Sequence, residues 1–251
     1  MLTTISSSQT NNNNTNNTDN TSSSLQTEPI LTLPSNKPIN RTPGNYEDIY
    51  SKYKIKHNLY ILHACKLLST YHESTPSITA LVLDGKQHRS TRALLTIKEK
   101  ISKIYIVEIN TKTFETIQHS LKDYTNITVL NQHIGDFIKN NNNPYVNVVY
   151  FDVMCSFFSS DLTEGSDAII ELFLQQSKVN EMIFASTFCL RSAFPIVYHK
   201  QKKKIISKLK LMFLLNGFNA KMLINDKEVI YKGQRAHNQG MMFVIFYLYR
   251  N

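Results

Sequence analysis

The sequence predicts an α/β fold: a mostly parallel, seven-stranded sheet with helices on both faces and an antiparallel β-hairpin at its C-terminal end. Three observations carry this. Short apolar runs alternate with amphipathic segments from residue 78 to residue 216. The runs are continuously apolar, as strands covered on both faces are. After Gly217 two further runs follow with no helical segment between them. Strands separated by helices form right-handed βαβ units in a parallel sheet. Two strands without a crossover helix pair antiparallel.

The elements follow in order. Residues 1–44 are dominated by Asn, Thr and Ser, with NNNNTNNTDNTSSS at their centre. Such a stretch has too little apolar surface to offset the entropy of ordering it, so it reads as a disordered tail. One domain, residues 45–251, follows, with an N-terminal helical extension over residues 45–75. There Tyr46, Ile49, Tyr50, Tyr53, Tyr60, Ile61, Ala64, Leu67, Leu68 and Tyr71 recur at helical spacing, with Lys on the other face. This predicts one long helix or two short ones, closed by Pro76. ITALVLD (78–84) is a strand, and STRALLTIKEKI (90–101) a helix with Leu94, Ile97 and Ile101 on one face. KIYIVEIN (103–110) is a strand, and TKTFETIQHSLKDY (111–124) a helix with Thr111 as candidate cap. NITVLNQ (126–132), VNVVYFDV (146–153) and EMIFASTFC (181–189) are strands. HIGDFIKNN and GSDAIIELFLQQS (165–177) are the helical segments between them. A helix around residues 195–216 stops at Gly217, and NAKMLIND (219–226) and MMFVIFYLYR (241–250) form the closing hairpin.

Composition narrows the function classes. The net charge is +9. In the tail Lys37 and Arg41 cancel Asp19 and Glu28, so the whole excess sits on the folded part. A basic domain fits an anionic partner, RNA or DNA, or simply good solubility. Cys65, Cys155 and Cys189 lie far apart with no CxxC and no His/Cys ligand spacing. Neither a disulfide framework nor a metal site is expected. No secretory signal opens the sequence, and no apolar stretch approaches the ~20 residues of a membrane helix. The expectation is an intracellular chain, cytoplasmic or nuclear, with no membrane partner.

The candidate site follows from the layout. Open α/β sheets bind ligands beyond the C-terminal ends of their strands, where the strand order switches. Three of the first four predicted strands end at or near a carboxylate, in Asp84, Glu108 and Asp152, and Asp136 lies just past the third. Carboxylates are pure acceptors, suited to ribose hydroxyls and an exocyclic amine. The first loop, in TALVLDGKQHRSTRALL (79–95), has a single glycine, Gly85, followed by Lys86, His88, Arg89 and Arg92. Those cations would attract a carboxylate or phosphate at a helix N-terminus.

Five β/α units and a closing hairpin, over residues 78–250, resemble the class I S-adenosylmethionine-dependent methyltransferases, which have a Rossmann-like fold. LDGKQHRSTRALL, FDVMCSFF and ASTFCLRS are similar to segments of methyltransferase-like proteins of viruses and protists. The resemblance implies S-adenosylmethionine as cofactor. It places Asp84-Gly85 at the methionine part, with the family's second and third glycines missing, so Arg89 or Ser90 would take over contacts that glycine amides make. It places Glu108 on the ribose hydroxyls, Asp136 on the adenine amino group, and Asp152 near the methyl acceptor as the candidate catalytic residue. Methyl transfer needs little acid–base chemistry, because the sulfonium is already activated, so catalysis would be mostly positioning.

Other residues fill in the acceptor side. DVMCSFF lacks the Asn/Asp-Pro-Pro-Tyr pattern of enzymes that methylate amino groups of bases. Cys155 could act as a nucleophile if nearby positive charge activated it, although a buried structural cysteine is the plainer reading. Arg191 follows the fifth strand at the ligand edge. YHKQKKKIISKLK (198–210) carries six lysines, Lys202, Lys203 and Lys204 among them, with Ile205, Ile206, Leu209, Met212 and Phe213 marking a buried face. Those lysines read as a solvated face or as a phosphate-contacting surface with salt-dependent affinity. Two functions stay open. One is a methyltransferase with a nucleic-acid acceptor favoured. The other is a catalytically inactive Rossmann-like module that binds nucleic acid or a protein through its basic helix. A nucleotide-dependent oxidoreductase is a weaker third, since GxGxxG is missing and the terminal hairpin argues against it.

Overall fold

A computed structural model describes residues 46–140, 145–152, 157, 166–190, 195–225, 230–232 and 240–251. The expected tail, residues 1–44, lies outside the described residues. So do Cys155, Arg191 and most of the connection between residues 226 and 239.

The first described element is helix α1 (Tyr46–Cys65). Strand β1 (Ile78–Val82), helix α2 (Arg89–Leu94) and strand β2 (Ile101–Val107) follow. Then come α3 (Thr111–Leu121), β3 (Ile127–Leu130), α4 (Ile134–Asn140) and β4 (Val148–Asp152). The second half contains α5 (Ser166–Gln176), β5 (Glu181–Cys189), α6 (Pro195–Leu215), β6 (Asn219–Met222), β7 (Ile230–Lys232) and β8 (Gly240–Tyr249). The sheet runs β3-β2-β1-β4-β5-β8-β6, and β7 also pairs with β8. Strands β1 to β5 are parallel, and β8 is antiparallel to both β5 and β6. This is the fold the resemblance implies, a Rossmann-like sheet closed by an antiparallel hairpin. The short β7, which continues the β6 edge along β8, adds an eighth strand to the expected seven.

Side-chain alternation along the strands divides the core. Tyr150 and Phe243 face α1, where His57 stacks on the Phe243 ring at 3.9 Å and Tyr60 lies 6.4 Å away. The neighbouring Phe151 and the β8 residue Phe246 point to the other side. There Phe173 of α5 meets Phe151, and Phe213 of α6 meets Phe184 and Phe246, all edge-on. Such aromatic pairs add about 0.5–1.5 kcal/mol each beyond their area burial. Helix α6 ends as its sequence predicts. Gly217, at φ 79°, donates to the Leu214 carbonyl at 3.0 Å while Phe218 N–H reaches the Phe213 carbonyl at 2.9 Å, closing a left-handed cap.

Three local expectations differ from the structure. The helix expected over residues 90–101 is shorter: α2 passes into a 3₁₀ stretch (Leu95–Lys100) with Ile97 outside the helical region at φ −117°, ψ 36°. The Thr96 hydroxyl bonds the Ala93 carbonyl there, a local alternative to the helical ladder. Helix α3 is capped by Asn110, whose side-chain oxygen accepts from Thr113 N–H at 3.0 Å, and not by Thr111. Strand β1 stops at Val82, so Asp84 belongs to the loop.

Candidate active site

The strand order reverses between β1 and β4, since β2 and β3 lie to one side of β1 and β4 and β5 to the other. A cleft of about 560 Å³ opens over the C-terminal ends of β1 to β4. That volume suits a drug-sized ligand. Its floor is the loop from Leu83 to Arg89. One wall is Val107, Glu108 and Ile109 with Gln132, His133 and Ile134, and Asp152 and Lys54 close the other end.

The first loop is built around a buried carboxylate. Asp84 is 5% exposed and accepts the Thr91 N–H at 2.8 Å, so it ties the loop to α2. Burial pushes its carboxyl above the ordinary range, against the Lys54 charge and the Thr91 bonds. A side chain added at Gly85 would meet no protein atom within 4 Å. Packing therefore does not require the glycine, and its backbone lies open on the cleft. The residue in the left-handed region is His88, at φ 36°, ψ 44°, a conformation glycine adopts at least cost. Its ring is buried, and Nε2 accepts from Arg92 Nε at 2.8 Å. Burial and the Arg92 charge hold this imidazole below its usual value, so it is a neutral acceptor at pH 7. The loop keeps a tight turn without the missing glycines by anchoring a histidine through an arginine. Arg89 lines the cleft, and its carbonyl accepts from Asn58 Nδ2 of α1 at 3.3 Å.

Glu108 immediately follows β2 and is partly exposed. Its Oε1 accepts the Asn110 N–H at 2.7 Å, which fixes the side chain and leaves acceptor capacity on the other oxygen. Its backbone is pinned as well: Glu108 N–H donates to the Leu130 carbonyl, and the Glu108 carbonyl accepts from Asn131 Nδ2 at 2.9 Å. Next to it Ile109 is 67% exposed at the cleft. It gives the cleft an apolar surface beside the carboxylate. Asp136 is not among the residues that line the cleft. It sits exposed in the first turn of α4, and the cleft wall is formed by Gln132, His133 and Ile134 before it. A carboxylate there favours the helix N-terminus.

Asp152 ends β4. Its two oxygens are both engaged, Oδ2 by the Lys54 ammonium and Oδ1 by the Thr187 hydroxyl of β5. The side chains of Lys54 and Asp152 are only 7% and 14% exposed. Lys54 Nζ also lies 4.3 Å from the centre of the Tyr150 ring, a cation–π contact. Burial alone would raise the Asp152 carboxyl, but the Lys54 charge and the bonds from Lys54 and Thr187 outweigh it and hold it below its ordinary value. This pair brings together the N-terminal extension and the fourth strand.

The basic helix is less uniform than its sequence suggests. Lys203 and Lys204 are exposed, but Lys202 is 5% exposed and belongs to the buried stripe of Ile205 and Leu209. It is not part of an open cationic face, and the spacing i, i+3, i+7 is the signal that reveals this. Lys208 pairs with Asp167 of α5. Among the described residues no group of three His, Cys, Asp or Glu side chains could hold a metal ion, and no helix is long and apolar enough to cross a membrane.

No protein-family model matches the sequence, and no curated protein matches it. Solved structures resemble it in layout. TYW2 of M. jannaschii, in complex with AdoMet, is 11% identical with a TM-score of 0.49, over 80% of this chain and 77% of that one. The magnesium protoporphyrin IX methyltransferase ChlM of Synechocystis PCC 6803, with bound SAH, is 12% identical with a TM-score of 0.49, over 84% and 90%. The precorrin-6y C5,15-methyltransferase of Geobacter metallireducens is 13% identical with a TM-score of 0.44, over 77% and 87%. These likenesses concern the layout alone. What the cleft binds follows from its own side chains.

Proposed function

We propose that the chain is an S-adenosylmethionine-dependent methyltransferase. The observation that carries this is the pairing of Glu108 with Ile109 at the strand-order switch: a pinned carboxylate suited to a ribose diol beside an exposed apolar side chain suited to a base. Gln132, which lines the same wall, adds hydrogen-bonding groups for a base edge. The exposed Gly85 backbone, Lys86 and Arg89 would hold the carboxylate of the amino-acid part, while Asp84 shapes the loop from behind. When bound, the cofactor supplies an activated methyl group. The chain's own residues bind, orient and exclude water, which is the larger part of catalysis when the leaving group is already activated. The basic charge of the domain favours an anionic acceptor such as nucleic acid.

Isothermal titration of the full chain with S-adenosylmethionine and S-adenosylhomocysteine tests this reading. The expected result is micromolar binding that Glu108→Ala weakens by about 10- to 150-fold, the value of a hydrogen bond to a charged group. No heat with either ligand from a folded protein would overturn the reading and favour the inactive module instead.

A further inference from the structure

The acceptor end of the cleft has chemistry of its own. It presents the Lys54 ammonium and the Asp152 carboxylate, held in contact at the cleft surface and screened from bulk water, with the buried Asp84 carboxylate near enough to feel both charges. One N–H of Lys54 goes to Asp152 Oδ2 and its charge rests on the Tyr150 ring. An ammonium has three donors, so the bond to Asp152 does not exhaust it. The position is well defined: α1 holds Lys54 through the neighbouring His57, stacked on Phe243, and Asn58, bonded to the α2 backbone.

We infer that the methyl acceptor is a hydroxyl oxygen, that Lys54 donates to it, and that Asp152 receives its proton. This rests on the methyltransferase reading above. The two candidate atoms differ in their lone pairs. An amine nitrogen has one, which a hydrogen bond from Lys54 would occupy, whereas a hydroxyl oxygen has two and can accept from Lys54 while it attacks. A hydroxyl acceptor gains negative character as its proton departs, and the ammonium stabilises it in a site where water is largely excluded. In the balanced step an oxygen lone pair forms the O–CH₃ bond, the C–S pair stays on sulfur as a thioether, and the O–H proton passes to Asp152 and then to solvent. A carboxylate with a low affinity for protons suffices, because the O–H becomes strongly acidic as the O–C bond forms.

Neither residue can be exchanged alone without leaving a buried charge, so the test includes a neutral pair. The full chain, Lys54→Arg and the double variant Lys54→Met with Asp152→Asn are compared in thermal stability and in S-adenosylhomocysteine affinity. Each is then incubated with methyl-labelled S-adenosylmethionine and the RNA, DNA, protein and small-molecule fractions of a cell extract. The linkage in the product is identified by hydriodic acid, which releases methyl iodide from ethers far more readily than from amines. The expected result is a methyl ether, with transfer retained in part by Lys54→Arg. In the double variant transfer should fall by about 10²–10³-fold, far more than S-adenosylhomocysteine affinity does, while the chain stays folded. A methylamine or C-methyl product overturns the inference. So does transfer that survives in the double variant, or the absence of transfer to every fraction by a chain that binds the cofactor. Failure of cofactor binding itself overturns the earlier reading instead.

Discussion

Replacing Lys54 by methionine should cost the fold about 3–5 kcal/mol at pH 7, the usual penalty for removing one partner of a buried ion pair. The geometry argues for the full range. Asp152 would keep only the Thr187 hydroxyl as partner, in a place where its side chain is 14% exposed. For a domain of this size that is a drop in melting temperature of about 6–20 °C. The double variant with Asp152→Asn should recover most of it, since methionine retains contact with the Tyr150 ring and asparagine the bond to Thr187. Urea unfolding of the four proteins gives the coupling energy directly. The pH dependence provides a second check. In the native chain Asp152 titrates below its unfolded value of about 3.9, so its contribution is complete above that value and is lost as pH falls through the lower, folded one. Without Lys54, burial dominates and the carboxyl titrates above its unfolded value. The penalty of Lys54→Met should therefore shrink as pH falls from 7 toward 4. A cost below about 1 kcal/mol, as for an exposed pair, with no such trend, would refute the argument that this pair is desolvated.

Three other outcomes are expected. Burial pushes the His57 imidazole down to about 3, so the unfolded chain binds the extra proton first; stability should fall by about 1.4 kcal/mol per pH unit below 6.5, and His57→Phe, which keeps the stack on Phe243, should flatten that slope in urea melts. His88→Gly should be more stable than His88→Ala by about 1 kcal/mol, because both lose the bond to Arg92 but only glycine adopts φ 36° without strain; equal midpoints would show that the turn relaxes. A Cβ at Gly240 would lie 2.7 Å from Tyr198 Cζ and 2.8 Å from Cε1, so Gly240→Ala should cost about 1–3 kcal/mol by overpacking, and Tyr198→Leu should recover part of it in a thermal melt.

The sheet was readable because strands covered on both faces leave continuous apolar runs, as in VVYF before Asp152 or MIFA in β5. Glu108 was readable for a related reason: a carboxylate directly after such a run must sit where the sheet meets solvent. Lys54 was not. Its partner is 98 residues away in sequence, and a lysine on an amphipathic helix is ordinarily a solvent-facing one. Lys202 misled in the same direction, although its i, i+3, i+7 relation to Ile205 and Leu209 was visible. Asp136 shows the limit of position alone. The Gly-Asp pair after the third strand puts Asp136 exposed in the first turn of α4, just beyond the cleft residues Gln132, His133 and Ile134.

The placement of β8 between β5 and β6 bears on how the chain is made. The most C-terminal of the described strands is an interior one, and it carries Phe243, on which His57 of the first described helix rests. Until that strand arrives, β5 presents an open edge and α1 lacks part of its seat. Every nascent chain therefore carries an unpaired β5 edge from the time Cys189 is made until Gly240 and the rest of β8 follow, the condition under which strands pair with the wrong neighbour. A chain truncated before residue 240 would keep Lys54, Glu108 and Asp152 but not the strand against which β5 and His57 of α1 rest. Such products should accumulate as aggregates, and the arrival of β8 becomes the step that commits this domain to its fold.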